Sequence, residues 1–128
     1  MKLKNDLTIP TEEIFNFVKP YFNGYNDDNI RKVIESHWIY GTIDAVWKNG
    51  EIVAVCRWNI ISGGKVCDVL DLVIHKNEHG FRIMKHLIAR NWHRFPTVRY
   101  IRFSRHKKYL GRKPKIYRIA DILHLKRS

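Results

Sequence analysis

The chain has 128 residues, which is the length of one domain and enough to bury a core. Its content of 45% hydrophobic and 12% aromatic residues excludes an intrinsically disordered chain. No apolar run approaches the roughly 18 residues that span a bilayer, and the first residues lack the apolar core of a signal peptide. We therefore expect a cytoplasmic protein with no membrane partner.

Positive charge is concentrated in the second half of the chain. Residues 1–74 hold 8 Lys and Arg against 10 Asp and Glu, whereas residues 75–128 hold 16 against only Glu78 and Asp121. Six of the seven histidines also lie in this second half. The asymmetry predicts an anionic partner, which could be nucleic acid, a phosphorylated cofactor or an acidic protein. A solvated basic face without a partner is the alternative.

Two helices are predicted before the first strand. Thr11 can cap a helix from about residue 12 to residue 19, which Pro20 ends. After a turn-rich segment, Asn26 or Asp27 can cap a second helix. Three apolar residues have helical spacing there: Ile30, Val33 and Ile34.

Three strands follow. The dipeptide Asn49-Gly50 separates two β-rich runs, residues 42–48 and 51–59, which predicts a hairpin with a two-residue turn. A third strand covers residues 65–74 and is apolar except for Asp68 and Asp71. These runs predict an antiparallel meander, with the second strand in a central position.

A helix, a further strand and a basic tail complete the single domain, residues 1–128. The helix runs from about residue 80 to residue 93, and the strand at 98–104 is expected to lie parallel to the strand before it, because a helix connects them. Residues 105–128 form a basic, turn-rich tail with a plausible last strand at KIYRI. The apolar stripe of the helix comprises Phe81, Met84, Leu87, Ile88, Asn91 and Trp92. The predicted class is α+β: two N-terminal helices, then a mixed sheet in which a meander leads into a β-α-β crossover.

The segment IHKNEHGFRIMKHLI, residues 74–88, resembles the turn and helix of the GNAT-type N-acetyltransferases. The family pattern there reads V-x-P-x-x-(R/Q)-G-x-G-x-(G/A)-x-x-L-L, and it fits without a gap. His79 stands at the Arg/Gln position, and Gly80 matches the next glycine. Arg82 and Met84 stand where small residues are usual. The resemblance, including the order of elements, covers about residues 10–105.

This resemblance implies a GNAT-like fold and transfer of an acetyl group from acetyl-CoA to an amine, either of a small molecule or of a protein lysine. Backbone groups of Leu72, Val73 and Ile74 would hold the pantetheine arm. The family places the pyrophosphate at the start of the helix, which here comprises His79, Gly80, Phe81, Arg82 and Ile83. The Arg82 guanidinium could bind the phosphates or obstruct them.

The resemblance also suggests acid–base residues. Asp68 falls at the position of the base in histone-acetylating members, and Asp71, expected on the other sheet face, is the reserve candidate. A salt bridge to an arginine is the structural alternative for either carboxylate. Tyr109 has the approximate offset of the general acid, with Tyr117 as a second option, although either tyrosine could be purely structural.

Other chemistries have weaker support. His75 and His79 have H-x-x-x-H spacing but precede the helix and lack a third ligand, so we expect no metal site. Cys56 and Cys67 lie in predicted strands and are expected to be reduced and buried. The second functional hypothesis is an inactive GNAT-like domain that binds nucleic acid or an acidic protein through its basic half.

Overall fold

The computed structural model describes residues 9–103 and 115–124, and within these ranges five strands form one sheet. Four helices and two short 3-10 turns accompany the sheet. In chain order the elements are α1 (Thr11–Val18), a 3-10 turn (Lys19–Tyr21), α2 (Asp27–Tyr40), β1 (Ile43–Lys48), β2 (Glu51–Ile61), β3 (Val66–Ile74), α3 (Gly80–Asn91), a 3-10 turn (Trp92–Arg94), β4 (Tyr100–Phe103), β5 (Lys115–Arg118) and α4 (Ile119–His124).

The strand order in the sheet is β1-β2-β3-β4-β5. The β1/β2, β2/β3 and β4/β5 pairs are antiparallel, and β3 and β4 are parallel across the connection that contains α3. The predicted meander and β-α-β crossover are therefore confirmed, as are the central position of β2 and the last strand at KIYRI.

Local sequence explains several boundaries. Asn49 and Gly50 both have positive φ, 53° and 79°, as a tight hairpin turn requires. Asn26 caps α2, since its side chain accepts hydrogen bonds from the amides of Asp28 and Asn29. The predicted Thr11 cap is wrong, because α1 begins at Thr11 itself and the Thr11 hydroxyl donates to Glu35.

The sheet carries a hydrophobic core on each side. Helices α3 and α4 cover one side, the α3 face, where Trp58, Val69 and Ile101 pack against Leu87. Helices α1 and α2 cover the other side, the α1–α2 face, where the core residues are Ile14, Phe15, Val18, Ile30, Ile34, Ile43, Ala45, Val55 and Val73. The chain is thus a helix–sheet–helix sandwich.

Two details of the helices differ from the sequence prediction. The apolar stripe of α3 includes Ile83, which is buried, whereas Phe81 is 40% exposed. Helix α4 was not predicted, although Ile119 and Ile122 are buried against the α3 face. Among the helices in the described ranges, none is both long and apolar enough to cross a membrane.

Candidate functional site

A β-bulge in β3 determines where the two aspartates point. Arg57 of β2 lies opposite Asp71, but the next residue, Trp58, lies opposite Val69, so Leu70 is an extra residue in β3. The extra residue shifts the alternation of side chains by one position. Asp68 and Asp71 therefore lie on the same side of the sheet, the α1–α2 face, and the prediction that they occupy opposite faces is wrong.

Asp68, which is buried, forms an ion pair with the half-buried Arg102 of β4. Arg102 lies directly opposite Asp68, and its Nε and Nη2 donate to the two carboxylate oxygens at 3.1 and 3.3 Å. Hydrogen bonding to Asp68 raises the pKa of Arg102. Both oxygens of Asp68 are thus engaged, which matches the structural alternative for this residue.

Asp71 belongs to a longer polar network that begins at the end of α2. Arg57 contacts one oxygen of Asp71, with its Nε donating to Oδ2 at 2.6 Å, and its Nη1 lies 3.3 Å from Nε2 of His37. Nδ1 of His37 in turn lies 2.6 Å from the Thr42 hydroxyl. Because the guanidinium can only donate, Nε2 accepts, and His37 is the neutral Nδ1–H tautomer. Burial, and then the Arg57 charge, lower the pKa of His37.

A cavity of about 220 Å³ lies between α1, α2 and the sheet, with Arg57 and Asp71 in its wall. Tyr25 lines it and is 68% exposed, so the cavity opens to solvent beside this residue. Nine of its lining residues are aliphatic or Phe, and Asn29 is the remaining polar one. Asp68 is not among the lining residues.

The edge of β3 that faces β4 is only partly paired. Pairing with β4 covers the positions from Val66 to Val69, opposite Tyr100 to Phe103, so in the described part of the chain the edge from Leu70 to Ile74 has no strand beside it. Leu72, Val73 and Ile74, the residues predicted for the pantetheine arm, lie in this segment. Their other edge pairs with β2. The structure therefore has an open sheet edge just before the turn into α3.

At the N-terminus of α3, the His79 side chain acts as the cap. Its Nδ1 accepts a hydrogen bond from the Arg82 amide at 3.3 Å. The Arg82 side chain is exposed, whereas Met84 packs into the core of the α3 face and so does not cover the turn. Gly80 lies beside Ile74, and a Cβ there would make only ordinary contact, at 3.5 Å.

The basic side chains of the second half fall into two groups. The arginines toward the end of α3 and beyond it have protein partners: Arg90 binds Asp44, Arg94 binds Asn91 and Gly41, Arg102 binds Asp68, and Arg118 binds Asp121. Around the start of α3, the side chains of five residues form no ion pair with residues 9–103 or 115–124: His75, Lys76, Arg82, Lys85 and His86. Of these five, Lys76, Arg82 and Lys85 carry a positive charge, and they lie between the end of β3 and the second turn of α3.

The remaining predicted residues have other positions. Tyr109 lies outside the described residues, as does most of the basic run at 105–115. Tyr117 lies opposite Ile101 in β5 and packs against Phe103, on the α3 face and thus away from both aspartates. Cys56 and Cys67 are free thiols, and burial raises the pKa of both, that of Cys67 to about 12. No cluster of three or more His, Cys, Asp or Glu residues suited to a metal occurs within the described ranges.

The mixed sheet with its β3–α3–β4 crossover and the helices on both of its sides define an α+β protein. Among solved structures, an aminoglycoside 6'-N-acetyltransferase in complex with coenzyme A is similar, with a TM-score of 0.59 and 16% identity over 73% of this chain and 53% of that one. The aminoglycoside 6'-N-acetyltransferase from Enterococcus faecium gives 0.56 and 11% over the same shares.

A protein from Desulfovibrio desulfuricans, described as a GNAT-family acetyltransferase, gives a TM-score of 0.55 and 11% identity over 76% of this chain and 67% of that one. Neither the family models nor the curated proteins gave a sequence match. The chain thus spans about half the length of the two aminoglycoside enzymes. It has the fold of the GNAT-type acetyltransferases, as the segment at residues 74–88 predicts.

Sequence reasoning missed three residues that determine the properties of the site. Arg57 and Arg102 bind the two aspartates, and His37 contacts Arg57. These partners are defined only by strand register and by the end of α2. The nearest sequence signal is that each strand flanking β3 carries an arginine within an otherwise apolar run. A buried arginine in such a run requires an acidic partner, and β3 supplies two.

Proposed function

We propose that the chain is an N-acetyltransferase that moves the acetyl group of acetyl-CoA to an amine. The observation that carries the proposal is the edge of β3 from Leu70 to Ile74, which has no partner strand in the described part of the chain. Basic side chains that form no ion pair with the described residues follow it at the start of α3. An open edge offers backbone hydrogen bonds to the amides of a pantetheine arm, and the basic cluster offers charge to its phosphates. The coenzyme A complex of a protein with the same fold supports a donor of the CoA type.

On this proposal, each part of the donor meets a different group of residues. The arm would lie along Leu72, Val73 and Ile74, and the pyrophosphate would lie at the first turn of α3, from His79 to Ile83. Ile83 can contribute only its backbone, since its side chain is buried in the core. Arg82 is exposed and has no carboxylate partner among the described residues, so it is suited to pair with a phosphate rather than to block it.

The reaction forms a bond between the amine nitrogen and the acetyl carbon and breaks the carbon–sulfur bond. The protonated amine loses two protons overall: one leaves with the CoA thiol, and the other goes to a base and then to water. Asp71 suits the role of base better than Asp68, because Asp71 lines the cavity and has an oxygen, Oδ1, without a partner in the described chain. Both oxygens of Asp68 bind Arg102.

Calorimetric titration with acetyl-CoA tests the proposal, with Arg82→Glu as the variant. We expect the wild-type chain to bind acetyl-CoA and Arg82→Glu to bind it at least about tenfold more weakly, since a charge-assisted phosphate contact becomes a repulsion. Lys32→Glu is the matched control. Lys32 is exposed on α2, and its substitution makes the same change in net charge far from α3.

The results separate the proposal from its main alternative, an inactive domain that binds nucleic acid or an acidic protein. An absence of acetyl-CoA binding at millimolar ligand, together with salt-dependent retention of duplex DNA, would overturn the proposal. Equal losses in Arg82→Glu and Lys32→Glu would show that net charge, rather than this site, attracts the donor. The proposal also requires that the CoA thiol is released from acetyl-CoA when an amine is added and not without the amine.

A further inference from the structure

The cavity on the α1–α2 face has the size of a small ring compound. Its volume is about 220 Å³, whereas an apolar cavity of about 150 Å³ is enough to take benzene. The volume of the cavity beyond that of a benzene site would accommodate a short side arm on the ring. Val55 and Val73 form the sheet side of the wall, and Phe22 and Val33 contribute to the helix side, so most of the surface is apolar.

The polar part of the cavity wall offers mainly a hydrogen-bond acceptor. Arg57 directs its Nε and Nη2 to one oxygen of Asp71, and its Nη1 to His37, so each nitrogen of this guanidinium has a partner inside the protein and its charge is balanced by Asp71. Oδ1 of Asp71 takes part in no hydrogen bond with the described residues. A carboxylate acceptor therefore remains available on a residue that lines an apolar cavity, which favours a ligand that carries a cationic donor.

We propose that the acceptor is a primary amine on a small, ring-sized apolar body, of the arylalkylamine type, which binds in this cavity with its ammonium group on Asp71. The inference rests on the proposed function, since it names the amine that receives the acetyl group. A ring fills the space between the helices and the sheet, and a short arm carries the nitrogen to the wall formed by β3. The same wall borders the open edge at which the thioester is proposed to lie.

A polyhydroxylated amine such as an aminoglycoside does not fit this chemistry. Its hydroxyl groups would face aliphatic side chains, and each buried hydroxyl without a partner opposes binding. Among the described residues that line the cavity, Asn29 and Tyr25 are the only polar ones apart from Asp71 and its partner Arg57. An anion is also disfavoured, because Arg57 is already engaged by Asp71 and His37.

The test measures binding of 2-phenylethylamine by calorimetry in the absence of acetyl-CoA, beside 2-phenylethanol and kanamycin. We expect 2-phenylethylamine to bind about 10- to 100-fold more tightly than 2-phenylethanol, which keeps the ring but loses the charged contact. Asp71→Asn should remove this preference. Kanamycin should bind more weakly than 2-phenylethylamine.

A second variant keeps the test valid if Asp71→Asn folds poorly. Val33 lines the cavity and is 40% exposed, so Val33→Phe should narrow the cavity without disturbing the core and should weaken 2-phenylethylamine at least about tenfold. Ile39→Phe is the control, because Ile39 lies on the same helix, is 73% exposed and does not line the cavity.

Each outcome identifies which statement fails. If 2-phenylethanol or kanamycin binds as tightly as 2-phenylethylamine, or if Val33→Phe binds the amine as the wild type does, the inference is overturned. Acetyl-CoA binding, measured separately, still tests the proposed function in that case. If the amine binds as expected but acetyl-CoA does not, the cavity holds an amine that is not an acetyl acceptor, and the inference is overturned with the function.

Discussion

Replacing Asp68 by Asn tests whether this carboxylate holds the sheet together or performs chemistry. The substitution keeps the shape of the side chain but leaves the Arg102 guanidinium without its charged partner. Exposed ion pairs contribute about 0–1 kcal/mol, whereas removal of one partner from a buried pair costs about 3–5 kcal/mol. The side chain of Asp68 is 10% exposed and that of Arg102 is 32% exposed, so the pair lies between these limits.

We therefore expect Asp68→Asn to lower the free energy of unfolding by about 2 kcal/mol. With a denaturant slope of about 2 kcal/mol/M in urea, the unfolding midpoint should fall by about 1 M. Adding Arg102→Met should recover at least half of this loss, because the unpaired charge is then removed as well. Asp121→Asn is the control, since its ion pair with Arg118 is 62% and 65% exposed and should contribute little.

A different result for Asp68→Asn would contradict the structural role of this carboxylate. If Asp68→Asn unfolds at the wild-type urea concentration but transfers acetyl groups about a hundredfold more slowly, the structural interpretation of Asp68 is refuted. The base suggested by the sequence resemblance would then be preferred over Asp71. In Asp71→Asn the midpoint should also fall, because the Arg57–Asp71 pair is 27% and 20% exposed, but a large loss of acetyl transfer should accompany it, whereas Asp68→Asn should keep its transfer rate.

Three further predictions concern stability and reactivity. Because folding lowers the pKa of His37 from 6.5, the unfolded chain binds this proton more tightly than the folded chain does. The corresponding stability is present above pH 6.5 and is lost as the pH falls through the folded pKa. The urea midpoint should therefore depend less on pH in His37→Gln than in the wild type across this range. Burial raises the pKa of the buried Cys56 and of the half-buried Cys67. Iodoacetamide at about pH 8 should therefore label both thiols much more slowly in the folded chain than in urea, and equal rates would contradict their raised pKa. Asn26→Ala should lower stability by about 1 kcal/mol in thermal unfolding, whereas Asn26→Asp, which keeps a capping oxygen, should not.

The order of elements was predictable because it depends on local signals. The Asn49-Gly50 turn defines the hairpin through its two positive φ angles, and the helix between β3 and β4 makes a parallel pair the expected arrangement. Helix α4 was missed because it follows directly after β5 in a basic, turn-rich region. The spacing of Ile119 and Ile122 was the available signal for it.

The pairing of charges was not predictable from local sequence. Asp68 meets Arg102, and Asp71 meets Arg57, across neighbouring strands whose register is a property of the whole sheet. The bulge at Leu70 was also hidden, since β3 is apolar on both faces and therefore lacks the polar–apolar alternation that would reveal a skipped position. The net charge of +12 was uninformative for the same reason, because it does not show which arginines form ion pairs inside the fold.

The bulge at Leu70 has a direct consequence for which aspartate can meet an amine. In a regular strand, Asp68 and Asp71 would point to opposite faces of the sheet. If Asp68 remained on the α1–α2 face, Asp71 would then enter the apolar core beneath α3. The extra residue turns Asp71 to the α1–α2 face instead, opposite Arg57 and in the wall of the cavity. A bulge interrupts the hydrogen-bond ladder, and bulges are common beside active sites, where they redirect a side chain. It also lies where β3 stops pairing with β4, so the redirected carboxylate and the open strand edge belong to the same few residues. This coincidence is the structural reason to prefer Asp71 as the base.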